Sequence, residues 1–109
     1  MAFTPTVDTE HALEGGLILA RGSIAASGNY AAGGDPVAFA GLVKSTTLYA
    51  LFVSGMAGFV YQWDQANALL LIFEAGADGA ALDELGAGAL PGGVTGDTIR
   101  FVAYFRKFL

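Results

Sequence analysis

The chain contains no cysteine, which removes disulfide frameworks, thiolate nucleophiles and cysteine-ligated zinc from consideration. Charge is also scarce. Asp, Glu, Lys and Arg make up 14% of the 109 residues and hydrophobic residues 54%, whereas an average soluble domain is roughly 25% charged. So little charge leaves much uncharged surface to be either buried or shared. The formal net charge is −5, and a shortage of Lys and Arg argues against nucleic acid as a partner, because phosphate binding depends on cations. Helix-sized apolar segments are nearly missing too. Residues 45–63, STTLYALFVSGMAGFVYQW, run without a charge for about the length that spans a bilayer. VSGMAG in the middle is a better turn than a helix centre, however, and the next apolar run is too short to cross. No membrane role is expected.

Catalytic signatures are equally sparse. The single histidine, His11, lies in DTEHALE beside Asp8, Glu10 and Glu14. One imidazole among acids at no recognised metal spacing reads as a surface histidine, so neither a metal nor a cofactor is expected. Ser23, Ser27, Ser45 and Ser54 have no base in a recognisable frame and no G-x-S-x-G elbow. GADGAALDE lacks the alternating oxygen ligands of a calcium loop, and GNYAAGG lacks the Lys-Ser/Thr end of a phosphate loop. The chain is therefore not expected to be an enzyme.

What is present is glycine, 16 residues of it, with clusters at 15–16, 33–34 and 92–93. Between the clusters lie short runs of Val, Ile, Leu, Phe and Tyr with the length and composition of strands. Strands are expected near 3–7, 17–26, 47–54, 58–63, 68–75 and 98–108. The fold class that follows is all-β: a single-domain antiparallel β-sandwich or barrel, jelly-roll-like, with one or two short helical turns. One turn is expected at 35–42, with Asp35 as N-cap and Pro36 at the first helical position, and another in AALDELGA, with Gly86 just past its end. The length fits one domain over 1–109, with 1–14 as an extended N-terminal arm. Residues 1–16 show no basic region followed by an apolar core, so synthesis and use in the cytosol are expected rather than secretion.

The last strand has the clearest pattern. In TIRFVAYFRKF, Ile99, Phe101, Ala103 and Phe105 fall on one face and Arg100, Val102, Tyr104 and Arg106 on the other. One face suits the core and the other suits water or a partner. Arg100, Arg106 and Lys107 are three of the five basic residues and no acid follows Asp97, so this end is a basic strip on an acidic protein. In FVYQWDQANALLLIF, residues 59–73, a turn over 64–67 makes a hairpin. Phe59, Tyr61 and Trp63 share one face of it, and Leu69, Leu71 and Phe73 alternate with Leu70 and Ile72 on the return. Both faces are largely apolar. A strand wet on one side normally alternates with polar residues, so both faces should be covered, one by the opposite sheet and one by a neighbouring subunit.

Four segments carry a resemblance: RGSI at 21–24, GGDP at 33–36, GFVYQWDQANALLLIF at 58–73 and IRFVAYF at 99–105. Together they resemble small virion proteins of tailed bacteriophages, in which a strand ends in Gly, a short turn follows Gly-Gly-acid-Pro, a central aromatic hairpin has the form G-x-V-x-x-x-D-x-A-N, and an R-F strand closes the chain. The resemblance covers most of the chain from Arg21 onward, and departs from it in the basic end YFRKFL and in the alanine and glycine content. It implies a capsid decoration, or cement, protein that is made in the host cytoplasm, binds the outer surface of the major capsid protein lattice and stabilises the phage head as a homo-oligomer, a trimer or a dimer. A tail or fibre-associated protein and a small carbohydrate- or ligand-binding β module are the alternatives. The expected oligomer contacts are Phe59, Tyr61, Trp63 and Leu70. The expected capsid contacts are the N-terminal segment, with Phe3, Thr4 and Val7, and the basic residues Arg100, Arg106 and Lys107.

Overall fold

The computed structural model describes residues 3–39, 41–43, 47–75 and 81–106. Nine strands and one helical turn are defined among them: β1 (Phe3–Leu13), β2 (Leu17–Ala26), β3 (Asn29–Tyr30), β4 (Leu48–Ser54), β5 (Val60–Asp64), β6 (Leu69–Glu74), β7 (Asp83–Glu84), β8 (Gly88–Ala89), α1 (Gly92–Thr95) and β9 (Ile99–Arg106). They form a four-stranded sheet in the order β1-β2-β9-β4, a three-stranded sheet β5-β6-β7 and a two-stranded ribbon β3-β8. All ladders among the named strands are antiparallel. The protein is all-β, as its composition and glycine punctuation predict. No helix among the described residues is long and apolar enough to cross a membrane; the charge-free stretch is instead divided between β4 and β5, which belong to different sheets.

Alternation builds the core. Ile18, Ala20, Ile24 and Ala26 of β2 and Ile99, Phe101, Ala103 and Phe105 of β9 point inward to meet Tyr61, Leu70 and Ile72 of the three-stranded sheet in one buried cluster. Phe39, between β3 and β4, fills the middle, its ring edge-on to Phe101 at 5.2 Å and to Phe105 at 5.3 Å between centroids, the geometry that aromatic quadrupoles favour. Gly22 is required where β1 crosses closest: a Cβ there would overlap the carbonyl oxygen of Thr6 and crowd the Phe101 ring. The β1–β2 hairpin turns at Gly15 and Gly16, both at positive φ (81° and 78°), a conformation that side chains resist.

Three local expectations are corrected. Residues 35–39 do not begin a helical turn on the Asp35 cap. The Asp35 backbone N–H donates to the Leu70 carbonyl at 3.0 Å and its carbonyl accepts from Leu70 N–H at 2.8 Å, and Val37 bridges Phe3. Two sheet bonds thus outcompete the cap, and the Asp35 carboxylate accepts instead from the Ala31 N–H behind it at 3.1 Å. The ALDELG segment is likewise extended, with β7 paired to Phe73 and Glu74. The helical turn stands at α1, entered from Pro91 and anchored by the buried Val94. Residues 3–13 form a full edge strand on β2 rather than stopping at Val7, with a bulge at Asp8 between Val7 and Thr9.

Two tyrosine hydroxyls tie the short elements to the core. Tyr30 donates to Glu84 Oε2 at 2.8 Å and accepts from Ile72 N–H at 3.1 Å, and Gly33 N–H donates to the same Glu84 oxygen at 2.6 Å. Tyr61 donates to Asp97 Oδ2 at 2.8 Å, while Met56 N–H donates to Asp97 Oδ1 at 2.8 Å. Burial pushes the Tyr30 hydroxyl up to about 12, opposed by the Ile72 N–H and assisted by the Glu84 carboxylate. Burial, then Asp97, raises Tyr61 well above the ordinary tyrosine value.

Two outcomes follow from this packing. Gly22→Ala should lower the urea midpoint by the equivalent of about 1–3 kcal/mol, the usual cost of overpacking, with the m-value unchanged. Because both tyrosines ionise less readily in the fold than in the unfolded chain, where the value is about 10, their contribution to stability is fully present below about pH 10. It is lost as the pH rises through the folded values, for Tyr30 about 12. The urea midpoint of the wild type should therefore fall between about pH 10 and 12, and less steeply in Tyr30→Phe. A wild-type midpoint that held constant across that range would contradict the assignment.

Candidate interaction surface

The face of the four-stranded sheet turned away from the core is built row by row by its registers. Thr9, Arg21, Val102 and Phe52 stand side by side across β1, β2, β9 and β4, next to a row of His11, Leu19, Tyr104 and Ala50. On one flank come Thr6, Ser23, Arg100 and Ser54, and on the other Leu13, Leu17 and Arg106. All three arginines of the chain thus share one open face with leucines and aromatic rings. Phe52 is 62% exposed and Tyr49 53%, which is unusual for rings of that size on a small protein.

Local contacts hold this face in order. The Phe52 and Tyr104 rings meet edge to face at 6.4 Å. The Arg106 guanidinium lies over the Tyr49 ring, 5.5 Å from its centroid, within cation–π range. The β1 bulge places Asp8 beside Arg100 at 3.3 Å, while Arg21 Nε donates to Thr9 Oγ1 at 3.3 Å. The Asp8–Arg100 pair is about half exposed on both sides, so it orients the guanidinium more than it stabilises the fold. Two shallow depressions mark the surface: one of about 370 Å³ by Gly15, Gly16, Leu17, Tyr49 and Arg106, and one of about 250 Å³ by Arg21, Phe52, Ser54, Arg100 and Val102. Such a surface can bind carboxylates through planar guanidinium groups and apolar side chains through the rings.

The hairpin residues expected at a subunit contact lie elsewhere. Leu70 is fully buried and Tyr61 is 6% exposed, so neither offers surface to a partner. Phe59 and Trp63 are partly buried against the same core. Trp63 Nε1 donates to Gln65 Oε1 at 2.7 Å, and Gln65 Nε2 donates to the Leu48 carbonyl at 3.1 Å. The register pairs Tyr61 with Ile72 and Trp63 with Leu70, which makes the Phe59-Tyr61-Trp63 side the inner one. The outward side carries Val60, Gln62, Leu69, Leu71 and Phe73 instead. The turn itself is as expected: Asp64 Oδ1 accepts from Ala66 N–H at 3.1 Å and Asn67 N–H at 3.3 Å, and Oδ2 from Asn67 Nδ2 at 2.8 Å. The Asn67 bonds hold the Asp64 carboxyl below its usual value.

Of the expected capsid contacts, Phe3 is fully buried and Val7 packs against the core, while Thr4 is exposed on the outer face opposite Ala25. Arg100 and Arg106 lie on the arginine-aromatic face, and Lys107 lies outside the described residues. Arg21, Tyr49 and Phe52 belong to this face although the sequence reading did not single them out. Strand parity alone links Arg21 to Leu17 and Leu19, but nothing in LYALFVS says which of its two apolar faces is inside. Among the described residues no group of three or more His, Asp or Glu side chains could hold a metal. A third cleft, about 350 Å³, opens between the sheets by Pro36, Phe39, Leu48, Trp63 and Gln65.

Phe52→Ser should change unfolding free energy by no more than about 1 kcal/mol, since the ring is exposed and loses only its edge contact with Tyr104. It should also reduce the fluorescence of a bound apolar dye, and a large loss of stability would instead place the ring in the core. No family model matches the chain, and no curated protein or solved structure matches it.

Proposed function

We propose that this chain is a structural virion protein of a tailed bacteriophage, which binds the outer surface of the major capsid protein lattice and stabilises the head. The observation that carries the docking mode is the concentration of all three arginines, with Tyr49, Phe52 and Tyr104, on one open sheet face of a chain whose net charge is −5. A protein that works by surface contact needs no catalytic group. Its arginines favour an acidic neighbour and steer the encounter, while the rings between them supply apolar area at the centre of the contact. The segments at 21–24, 33–36, 58–73 and 99–105 that resemble virion proteins support the same reading. Arg100 and Arg106 keep the role expected of them, joined by Arg21, and Thr4 lies at the margin of the same face. A small-ligand module is the second reading, favoured by the apolar cleft beside Trp63.

Co-sedimentation with heads assembled from the major capsid protein encoded alongside this chain tests the proposal. Saturable binding is expected at low salt, weakened at least about tenfold, or ~1.4 kcal/mol, by Arg21→Glu with Arg106→Glu. Absence of wild-type binding sinks the virion reading. Wild-type affinity in the double variant sinks the docking face. If heads do not bind and Trp63 fluorescence responds to a small apolar or saccharide ligand, the second reading takes its place.

A further inference from the structure

The cleft between the sheets is a cavity that the docking face does not use. It holds about 350 Å³, near the lower end of the range in which small-molecule sites fall. The buried rings of Phe39 and Phe105 form its floor, the half-buried Leu48 and Trp63 its walls, and Gln65 and Ala68 its exposed rim. None of the described residues that line it is charged, so a charged ligand would lose hydration there without gaining a partner. Gln65 fixes the mouth. It accepts from Trp63 Nε1 and donates to the Leu48 carbonyl, which holds the indole in one orientation and joins the hairpin to β4. Those bonds use one N–H and one lone pair of the amide, which has two of each. One donor and one acceptor are left for a ligand, too few for the hydroxyls of a sugar. Ala68 adds an independent observation: its φ of 57° lies in the left-handed region, where every other described residue with positive φ is a glycine. Glycine would adopt that conformation without the steric cost of a Cβ, yet here a methyl stands at the cleft. Backbone strain of this kind collects at ligand sites.

We propose that this cleft binds a small neutral aromatic molecule of one or two rings with a single polar group, its rings between Trp63 and Leu48 over Phe39 and its polar group on the Gln65 amide. Aromatic rings against the indole gain directional contact beyond the area they bury. Because Gln65 already fixes the indole, little ordering remains to be done on binding. The inference rests on the small-ligand reading and narrows it, from apolar or saccharide ligands to neutral aromatic ones. Arg21, Arg100 and Arg106 do not line the cleft, so it is a separate site from the face proposed to dock on the lattice.

The probe is 2-naphthol, titrated into the full chain at neutral pH and followed by the emission of Trp63, the only tryptophan in the sequence, and by methyl chemical shifts. Saturable quenching with a Kd below about 1 mM is expected, with shifts at the methyls of Val37, Leu48 and Ala68 beside the cleft. Naphthalene-2-sulfonate, which adds a charge, and glucose should bind there at least about tenfold more weakly. Leu48→Phe, which adds a ring to the cleft lining, should weaken 2-naphthol at least about tenfold, and Gln65→Leu about fivefold. Circular dichroism checks that each variant is folded, and the wild-type methyl shifts decide alone if one is not. The proposal is overturned by an absence of saturable binding, by shifts centred on Val53 and Val102 at the arginine face, by equal affinity for the sulfonate in the cleft, or by wild-type affinity in either folded variant. A response to glucose alone overturns it while leaving the broader small-ligand reading in place. Head binding is measured separately and bears on neither.

Discussion

The alternation of β9 between its two neighbours is the constraint on which the rest depends. This strand lies between β2 and β4 in the four-stranded sheet, so both of its edges are hydrogen-bonded and its parity cannot slip without turning every side chain over. Ile99, Phe101, Ala103 and Phe105 then have to enter the core, and Arg100, Val102, Tyr104 and Arg106 have to leave it. Core and interaction surface are therefore two sides of one pattern. The closure is also long-range: β2 pairs with β9 across most of the chain, from Ile24 with Ile99 to Leu17 with Arg106. Contacts of such separation must overcome loop-closure entropy before they stabilise anything, which favours slow, cooperative folding once the last strand is in place.

How much was legible in the sequence follows from how much each segment disambiguates its own faces. β9 was readable because charges at 100 and 106 mark the outer side. β2 was readable in its limits because Gly15, Gly16 and Gly28, all at positive φ, flank it. The 59–73 hairpin was readable as a hairpin, since Asp64 and Asn67 make the turn, but not in its orientation. With apolar residues on both sides, only the tertiary partner decides, and here Asp97 takes the Tyr61 hydroxyl inward. Asp35 failed as a helix cap for a similar reason: the Leu70 backbone, 35 residues on in sequence, offers two bonds where the local turn offers one. The arginine face was half legible, because Arg100 and Arg106 share a strand whereas Arg21, Tyr49 and Phe52 reach it only through register.

Small β modules with many two-residue strands have few ladder bonds with which to fix their connections, and here half-buried acids that accept from tyrosine hydroxyls supply the missing order. Glu84 gathers the Tyr30 hydroxyl and the Gly33 N–H, and Asp97 gathers the Tyr61 hydroxyl and the Met56 N–H. Each carboxylate joins residues far apart in the chain. Such a pin holds only while every partner is satisfied, since an unpaired donor shielded from water costs more than the bond itself contributes; no buried side-chain nitrogen or oxygen among the described residues lacks a partner.

The two outer edges of the large sheet show why its faces rather than its edges are the places to meet another molecule. β1 carries Pro5, which has no N–H to donate, a bulge at Asp8 and a charge at Glu10, all devices that discourage strand addition. β4 is bulged near Tyr49. With backbone pairing discouraged at both margins, what remains for recognition is side chains presented at fixed spacing by a rigid ladder. Such a surface selects partners by charge and shape instead of by generic hydrogen bonding, and in a chain with this little charge the positions of three arginines decide where that selection takes place.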